Sequence, residues 1–301
     1  MDCLVSVVIP TYKRNLDYIS NAVQSVLNQT YKNIEIVVVD DNYGDFEFRD
    51  DIKKYVEGFN SDKIVYIRNK DNIGGSLSRN VGIEASHGDY ITFLDDDDEY
   101  MPQKVEKQLK FMLDTDCDLS FSNMIMYRMS GEVCDFRDHK GLTSFDNKDL
   151  LKYHLTKNLS GTPTFMFKAD KLREIGGFRD VKMGQDFFLM LNAIESGLKI
   201  RYFNTCDVKV YKHNDGGISQ GQNKIEGEKM LYDFKKQYFD ILDSKEKRYV
   251  DFRHRVVMAV AYKRNHLYGK MIGNTIAAFF TSPKYFTTEC FSFIKNIIKN
   301  R

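Results

Sequence analysis

Residues 90–98 read YITFLDDDD, a short apolar run followed at once by four consecutive aspartates. Such a run predicts a buried strand, so the carboxylates follow its C-terminal end. Four like charges held close together repel one another unless a divalent cation such as Mg²⁺, Mn²⁺ or Ca²⁺ is drawn in. The stretch therefore indicates a metal-bridged phosphate substrate. The alternative is a solvated acidic turn that caps a helix starting near Pro102.

The composition is that of a globular protein with no strong overall charge. The 301 residues suffice for one large domain or two smaller ones, and 42% of them are hydrophobic. Basic side chains number 44 and acidic ones 43, so no global field indicates nucleic acid as a partner. The five cysteines lack the spacing of a zinc site or a disulfide framework, which favours a reducing compartment. With no signal pattern and no stretch near the roughly 20 apolar residues of a membrane span, we expect a cytoplasmic protein.

Predicted strands and helices alternate along the N-terminal third of the chain. Near-continuous apolar strands with helices between them indicate a mostly parallel sheet covered by helices on both faces. Further along, the pattern predicts a strand over Leu119–Met126 and a helix over Asp186–Ser196. The opening strands are predicted at Leu4–Ile9, which Pro10 ends, and at Ile34–Val39, Ile64–Ile67 and Tyr90–Leu94.

Three polar clusters follow strands of this predicted sheet, at residues 11–14, 40–42 and 95–98. Ligands of such sheets bind beyond the carboxyl ends of the strands, so the topology brings the clusters to one edge. This convergence indicates a nucleotide-type site. The sequence contains neither the Gly-x-Gly-x-x-Gly fingerprint after the first strand nor a Walker A motif.

The chain changes character after about residue 220, where long helical patterns rich in Lys, Glu and aromatic residues begin. From Lys270 onward there are five basic residues and one acidic residue. The tail Pro283–Arg301 is basic, aromatic and amphipathic, which is typical of a helix lying on an anionic membrane surface. The alternative is a terminal helix packed on its own domain or on the partner in a homodimer.

With these residues in view, the chain resembles the family 2 glycosyltransferases of the GT-A fold. The ordered set of motifs carries the resemblance, which covers residues 1 to about 215. It implies a GT-A domain over 1–218, with a donor half at about 1–100 and an acceptor half at about 101–218. A helical region over 219–301 would follow. The matching pieces are Val5-Ser6-Val7-Val8-Ile9-Pro10-Thr11-Tyr12, Val39-Asp40-Asp41-Asn42, Arg79-Asn80-x-Gly82 and Gly88-Asp89-Tyr90-Ile91-x-Phe93-Leu94-Asp95-Asp96-Asp97-Asp98.

The resemblance also implies a nucleotide-sugar donor, most often a UDP-sugar. By motif position, Tyr12 would stack on the base and Asp41 would hydrogen-bond its imide. Arg79 would lie near the diphosphate, and Asp95 and Asp96 would contact the ribose or metal-bound waters. The implied donor-binding residues are Pro10, Thr11, Tyr12, Arg14, Asp41, Arg79, Asp95 and Asp96.

The same resemblance implies Mn²⁺ or Mg²⁺ bound by Asp97 and also by His213, which matches a less specific motif near the diphosphate. The alternative is that His213 is a structural histidine. Family members usually carry Glu-Asp at the start of the acceptor-side helix, whereas this chain has Gln185-Asp186. The role of catalytic base therefore passes to Asp186 alone, because an acceptor hydroxyl needs a positioned carboxylate. The alternative is that Asp186 is only a helix N-cap.

Together these features predict an inverting glycosyltransferase that extends a bacterial-type surface glycan. The acceptor would be a glycan or a lipid-linked sugar, and the tail would then dock on the inner face of the cell membrane. A nucleotidyltransferase is disfavoured because residues 10–14 contain no glycine. The remaining alternative is a non-catalytic nucleotide-binding module that acts through a protein partner.

Overall fold

The structure is a computed structural model that describes residues 2–159, 161–212 and 221–290. Its contacts divide the chain into two compact units. The first comprises Met1–Leu151, Leu159–Val181 and Gln185–Asn214, and the second comprises Lys152–Asn158, Lys182–Gly184 and Asp215–Arg301. Two short segments near residues 155 and 183 thus belong to the second unit. The domain boundary predicted at residue 218 lies outside the described residues and stays a prediction.

The strands of the first unit form two sheets. In the larger sheet the strand order is β10-β6-β9-β4-β1-β2-β3, and in the smaller one it is β5-β11-β7-β8. The strands are β1 (Val5–Thr11), β2 (Ile34–Asp40), β3 (Ile64–Arg68), β4 (Tyr90–Phe93), β5 (Glu99–Tyr100), β6 (Leu119–Ser122), β7 (Met124–Arg128), β8 (Val133–Arg137), β9 (Met166–Lys168), β10 (Ile200–Phe203) and β11 (Val208–Lys212).

The larger sheet is mainly parallel, as the sequence predicts. β1 pairs in parallel with both β2 and β4, and β2 pairs in parallel with β3. β9 is the exception, since it runs antiparallel to both β4 and β6. The parallel strands β1, β2 and β4 end at the same edge, which brings the three polar clusters together.

Helices supply the other layers of the fold. One apolar face of α1 is fully buried in the main core together with strand residues such as Val7, Ile9 and Ile36. The helices are α1 (Leu16–Leu27), α2 (Arg49–Glu57), α3 (Gly75–Ala85), α4 (Lys104–Thr115), α5 (Asn147–Lys157), α6 (Ala169–Glu174), α7 (Gln185–Glu195), α8 (Gly221–Lys236), α9 (Ser244–Arg264) and α10 (Tyr268–Thr281).

Helix α3 approaches the sheet too closely for a side chain at Gly82. A Cβ atom there would lie 2.3 Å from Cγ1 of Val8 and 3.3 Å from Cγ2 of Val39. The neighbouring motif residue Asn80 clamps a distant loop, since its side chain exchanges two hydrogen bonds of 2.8 Å with the backbone of Phe178. Asn80 and Gly82 of the Arg79-Asn80-x-Gly82 motif therefore serve packing.

Two predicted strand boundaries are wrong, each for a physical reason. Pro10 does not end β1, which continues to Thr11 beside β2. The carbonyl of Val8 faces β4 and accepts a hydrogen bond from Leu94 N. Pro10, two residues further along β1, faces the same side, but β4 has already ended at Phe93. Among the described residues, no strand pairs with β1 there and would have to accept the N–H that proline lacks.

The strand predicted over Leu119–Met126 is two strands in different sheets, β6 and β7. The break falls at Asn123, whose N–H donates to Thr205 O at 2.9 Å and whose amide donates to Asn204 Oδ1 at 3.0 Å. These bonds to the segment after β10 redirect the chain. The apolar pattern of the run does not reveal them.

The second unit is built from α8, α9 and α10. Asp243 and Glu246 form a capping box at the start of α9, in which each side chain accepts from the other's backbone N–H. Residues 283–290 are also helical. Within the described residues, no helix is both long enough and apolar enough to cross a membrane.

Candidate functional site

The acidic turn after β4 holds its four carboxylates in different surroundings. Asp98 is buried, and its Oδ1 accepts a hydrogen bond of 2.9 Å from Tyr211 N. Burial and the charges of the neighbouring aspartates raise its pKa. Asp98 therefore ties the turn to β11. Asp96 is also buried, whereas the side chains of Asp95 and Asp97 keep 35% and 16% of their surface exposed, so a ligand can reach these two.

Arg14 lies against two of these carboxylates. Its guanidinium pairs with Asp97 and lies 3.5 Å from Oδ1 of Asp96, while Tyr12 N donates to Oδ2 of Asp96 at 3.3 Å. Burial and the charge of Asp97 raise the pKa of Asp96 to about 7. The residues after β1 and those after β4 thus form one cluster, as the sequence predicts.

Arg79 connects the donor-side residues with the start of α7. Its guanidinium pairs with Asp95 and donates from Nη1 to Gln185 Oε1 at 2.7 Å. The ring of Phe178 lies 5.5 Å away, and Arg79 is buried. The contact joins residues 106 positions apart in the sequence. Gln185 therefore holds the arginine through a neutral amide.

Asp186 follows Gln185 as the second residue of α7 and is half-buried. Its Oδ1 accepts from the N–H of Phe187 at 2.9 Å. Asp186 thus lies in the first turn of α7, and the choice between a base and a helix cap stays open. Its neighbour Gln185 contacts Arg79, and the role of Asp186 as the base stays a prediction.

Asp41 is buried, and both of its carboxylate oxygens are occupied by the loop that leads into α3. Such a carboxylate has about four acceptor positions, and all are used here. The donors to Oδ1 are Asn69 Nδ2 at 2.8 Å and Ile73 N at 2.9 Å, and those to Oδ2 are Asn72 Nδ2 at 2.7 Å and Gly74 N at 2.8 Å. Asp41 thus organises this loop, and its predicted contact with a base stays a prediction.

An open pocket of about 410 Å³ adjoins Tyr12. The rings of Tyr12 and Tyr43 meet edge to face with centroids 6.2 Å apart, and both side chains are exposed. Lys13 adopts a positive φ of 54° and donates from its N–H to Asn42 Oδ1 at 2.6 Å, which fixes the turn that carries Tyr12. The residues that line the pocket are Lys13, Asn42, Tyr43, Asp45, Phe46 and Glu47.

The other predicted site residues are placed as follows. Pro10 and Thr11 form the end of β1, where Thr11 is buried and Asp41 N donates to its carbonyl at 3.0 Å. His213 lies outside the described residues, so its predicted role is untested. Sequence reasoning missed Tyr43 and the contact of Gln185 with Arg79. Tyr43 is one aromatic residue among many, and the contact of Gln185 with Arg79 joins distant segments. Neither of them therefore gives a local pattern in the sequence.

Two carboxylates of the acidic turn are candidate ligands for a divalent cation of the Mg²⁺ or Mn²⁺ type, and each of them is paired with an arginine. Asp95 and Asp97 offer partly exposed carboxylate oxygens, which are hard ligands, and such sites use one or two carboxylates together with water and phosphate. In the described part of the chain, no group of three or more His, Cys, Asp or Glu side chains is arranged to hold a metal. The predicted Mg²⁺ or Mn²⁺ ion therefore stays a prediction.

Comparison with known proteins identifies the chain. The family model described as glycosyl transferase family 2 matches residues 6–175, which include the acidic turn, Arg79 and the end of β1. The chain belongs to glycosyl transferase family 2. Residues 185–186 lie beyond the matched segment, so the family match does not test the predicted base.

Individual relatives extend this finding. The putative teichuronic acid biosynthesis glycosyltransferase TuaG of Bacillus subtilis is 31% identical over 221 residues, which are 73% of this chain and 83% of the relative. The glucosyltransferase WfaP of Escherichia coli is 28% identical over 225 residues, or 73% and 82% of the two chains. In other curated matches the aligned region spans 66% of an archaeal relative and 17–32% of three from Rickettsia.

Among solved structures, the chain is similar to the crystal structure of S. aureus TarS 1-349 in complex with UDP-GlcNAc. The TM-score is 0.58 at 17% identity, over 92% of this chain and 91% of the other. Likeness at this identity concerns the fold. With the mainly parallel sheet, it confirms the predicted GT-A architecture followed by a helical region.

Proposed function

We propose that this glycosyltransferase moves a sugar, with inversion, from a UDP-sugar to a glycan or lipid-linked acceptor in bacterial surface polysaccharide synthesis. The observation that carries the proposal is the bridge formed by Arg79. This arginine contacts both Asp95 of the acidic turn and Gln185, which precedes Asp186 in α7. The two contacts support a donor diphosphate bound next to the start of α7.

Support for a UDP-sugar donor comes from the pocket beside Tyr12 and from relatives. TarS was crystallised with UDP-GlcNAc, and the name of WfaP specifies UDP-glucose as its donor. The exposed rings of Tyr12 and Tyr43 offer aromatic surface on which a uracil base would stack. Arg79 and Arg14 supply positive charge where the diphosphate would lie.

Support for a surface-glycan acceptor comes from the names of two relatives. TuaG is assigned to teichuronic acid biosynthesis, and the name of WfaP specifies α-D-GlcNAc-diphosphoundecaprenol as the acceptor. We propose an acceptor of the same class here, either a growing glycan or a sugar carried on a lipid diphosphate. Such an acceptor would bring the enzyme to the inner face of the cell membrane.

In the proposed reaction, Asp186 takes the proton from the acceptor hydroxyl while its oxygen attacks the anomeric carbon of the donor. The bond from that carbon to the phosphate oxygen breaks as the new glycosidic bond forms, and UDP leaves with the electron pair. Attack opposite the leaving group inverts the anomeric centre. A positioned base contributes about 10²–10⁴-fold to such a step.

Arg79 stabilises the negative charge that grows on the departing diphosphate, because its guanidinium is held in place before the substrate arrives. Gln185 sets its orientation through the contact of 2.7 Å. Asp97, with Asp95 nearby, would hold the Mg²⁺ or Mn²⁺ ion. When bound, this ion supplies additional charge neutralisation on the diphosphate.

The proposed localisation is cytoplasmic, at the inner membrane face, with the tail 283–301 as a contact. Residues 291–301 lie outside the described residues. Deleting residues 283–301 should release the protein from anionic liposomes, and continued co-sedimentation of the truncated chain would refute a role for the tail. The alternative is that the tail packs on the partner in a homodimer. Sedimentation would then show a dimer for the full chain and a monomer for the truncated chain.

A transfer assay tests the proposed function. The full chain is incubated with UDP-glucose or UDP-GlcNAc, Mn²⁺ and a GlcNAc-diphospholipid acceptor, and released UDP and the product are measured. The proton coupling constant of the new linkage reports whether the anomeric centre has inverted. Asp186→Asn should bind UDP as the wild type does and transfer no sugar, whereas normal turnover by this variant would remove the assigned base.

A non-catalytic nucleotide-binding module is the second candidate. The observation in its favour is Gln185, which stands where family members usually carry an acid. UDP binding by the wild type without sugar transfer or donor hydrolysis would favour this candidate. Transfer of any tested sugar excludes it.

A further inference from the structure

The smaller sheet turns one of its faces away from the main core. Residues paired across a sheet lie on the same face, and the faces alternate along each strand. Val208 and Tyr100 are paired and buried in the main core, and Val210 packs against that core. The residues next to them along each strand therefore lie on the other face. This outer face of the smaller sheet is formed by Glu99, Ile125, Tyr127, Phe136, Lys209 and Tyr211.

Two tyrosines lie at the centre of the outer face. Tyr211 on β11 is paired with Tyr127 on β7, and their ring centroids are 6.0 Å apart with the planes tilted by 39°. The hydroxyl of Tyr211 donates to Oε1 of Glu99 at 3.2 Å, which holds this ring across the sheet. Phe136 is 48% exposed, and the other residues of the face are partly exposed. The face therefore presents aromatic surface to solvent.

The charged groups of the outer face balance each other. Glu99 and Lys209 are paired in register, and Nζ of Lys209 lies 3.3 Å from Oε2 of Glu99. Because this pair is neutral overall, it gives no net attraction to a diphosphate, a nucleic acid or an anionic bilayer. The carboxylate, the ammonium group and the tyrosine hydroxyls are instead suited to hydrogen bonds with an uncharged polar ligand.

A sugar ring matches both properties of the face. One side of a β-linked glucose or GlcNAc ring carries axial C–H groups, whose weak positive charge is attracted to the negative face of an aromatic ring. The hydroxyls at the rim of the same ring point outward, where charged side chains bind them strongly. Aromatic surface beside a neutral pair of charges therefore favours a glycan as the ligand.

The outer face is also joined to the acidic turn. Asp98 is followed directly by Glu99, the first residue of β5. Oδ1 of Asp98 accepts a hydrogen bond of 2.9 Å from Tyr211 N, so the backbone that carries the Tyr211 ring is fixed to the turn. A sugar on this ring would lie next to the proposed donor site, as an acceptor must.

We propose that the outer face of the smaller sheet binds the acceptor glycan, with sugar rings on Tyr127 and Tyr211 and sugar hydroxyls at Glu99 and Lys209. This inference rests on the proposed function, which requires a sugar acceptor, and it names the surface that holds this acceptor. β8, which carries Phe136, lies two strand spacings or about 10 Å from β11, so the face has room for more than one sugar ring.

Saturation-transfer difference NMR of the full chain with two neutral disaccharides, N,N′-diacetylchitobiose and cellobiose, tests this inference without a transfer reaction. The wild type should bind at least one of them, with the strongest saturation at the axial protons on one face of a sugar ring. Tyr127→Leu and Tyr211→Leu should each weaken binding about tenfold, because one aromatic ring is lost. Tyr127→Phe, which keeps the ring, should bind as the wild type does.

A matched control is Tyr268→Leu, which removes a tyrosine that is 54% exposed on α10 and should not change disaccharide binding. Urea denaturation and calorimetric titration with UDP verify that each variant is folded and keeps its donor site. Saturation of neither disaccharide by the wild type would overturn the inference, as would equal binding by Tyr127→Leu and the wild type. A wild-type dimer that Tyr127→Leu dissociates would assign the face to a second copy of the chain instead.

The transfer assay separates this inference from the proposed function. Disaccharide binding that depends on Tyr127, without transfer of any sugar, would refute the proposed function and leave the glycan site in place. Transfer by the wild type, with the same acceptor KM in Tyr127→Leu and Tyr211→Leu, would refute the glycan site alone.

Discussion

Replacing Asp41 by asparagine should destabilise the protein by about 3 kcal/mol. Each carboxylate oxygen accepts two hydrogen bonds from residues 69–74, all between 2.7 and 2.9 Å. An asparagine presents one oxygen and one NH₂ group, so in either orientation two of the four donors face another donor. Hydrogen bonds to a charged group contribute about 1.5–3 kcal/mol each, and two of them are lost. Relaxation of the loop keeps the expected loss near the lower end of the sum.

Urea denaturation of wild type, Asp41→Asn and the control Asp45→Asn measures this effect. Asp45 is an exposed carboxylate four residues away, and its replacement should change the free energy of unfolding by less than about 0.5 kcal/mol. A loss below about 1 kcal/mol for Asp41→Asn would refute the assigned role of Asp41 in the loop. Calorimetric titration of folded Asp41→Asn with UDP then tests the contact with the base that the sequence predicts for Asp41. If the contact exists, the variant should bind UDP more weakly than the wild type does.

Three further predictions concern the site and the core. Asp186→Asn should keep the UDP affinity and lower kcat by at least about 10²-fold, as the loss of a general base requires, and a kcat within about tenfold of the wild type in steady-state kinetics with saturating donor would contradict this. Asp97→Ala should keep the fold but remove the Mn²⁺ dependence of UDP binding, and a Mn²⁺ dependence equal to that of the wild type would dismiss Asp97 as the ligand. His139 is buried beside the rings of Phe121 and Tyr202, and burial lowers its pKa from 6.5 to about 4. Its contribution to stability is therefore complete above pH 6.5 and is lost as the pH falls towards 4, by about 3 kcal/mol in total. Between pH 7 and pH 4, the free energy of unfolding of His139→Phe should fall by about 3 kcal/mol less than that of the wild type in denaturant titrations. Equal falls for the two proteins would contradict the lowered pKa of His139.

The sequence predicts the sheet well where side-chain pattern and fold coincide. The opening strands are buried runs, and their order brings the clusters after β1, β2 and β4 to one edge. Predicted strand boundaries are wrong where a contact with a distant segment decides where the strand ends. Pro10 stays in β1 because β4 has already ended beside it, and Asn123 divides an apolar run because it bonds to the segment after β10. β8, an exposed strand of the smaller sheet, has no apolar alternation to reveal it.

The candidate site follows the same rule. The acidic turn and Arg79 are recognisable as motifs, but the sequence does not disclose that Asp98 is buried against β11 or that Arg79 is held by Gln185. Those contacts join segments roughly a hundred residues apart. Asp41 is the clearest case, because its motif position implies a ligand contact while its surroundings show four hydrogen bonds to its own chain.

The most direct test of the account is calorimetric titration of the full chain with UDP, GDP and several UDP-sugars, with and without Mn²⁺. The account predicts Mn²⁺-dependent binding of UDP, weaker binding of GDP, and a preference for one UDP-sugar. Absence of nucleotide binding under all of these conditions would contradict the donor site assembled by Tyr12, Arg79 and the acidic turn.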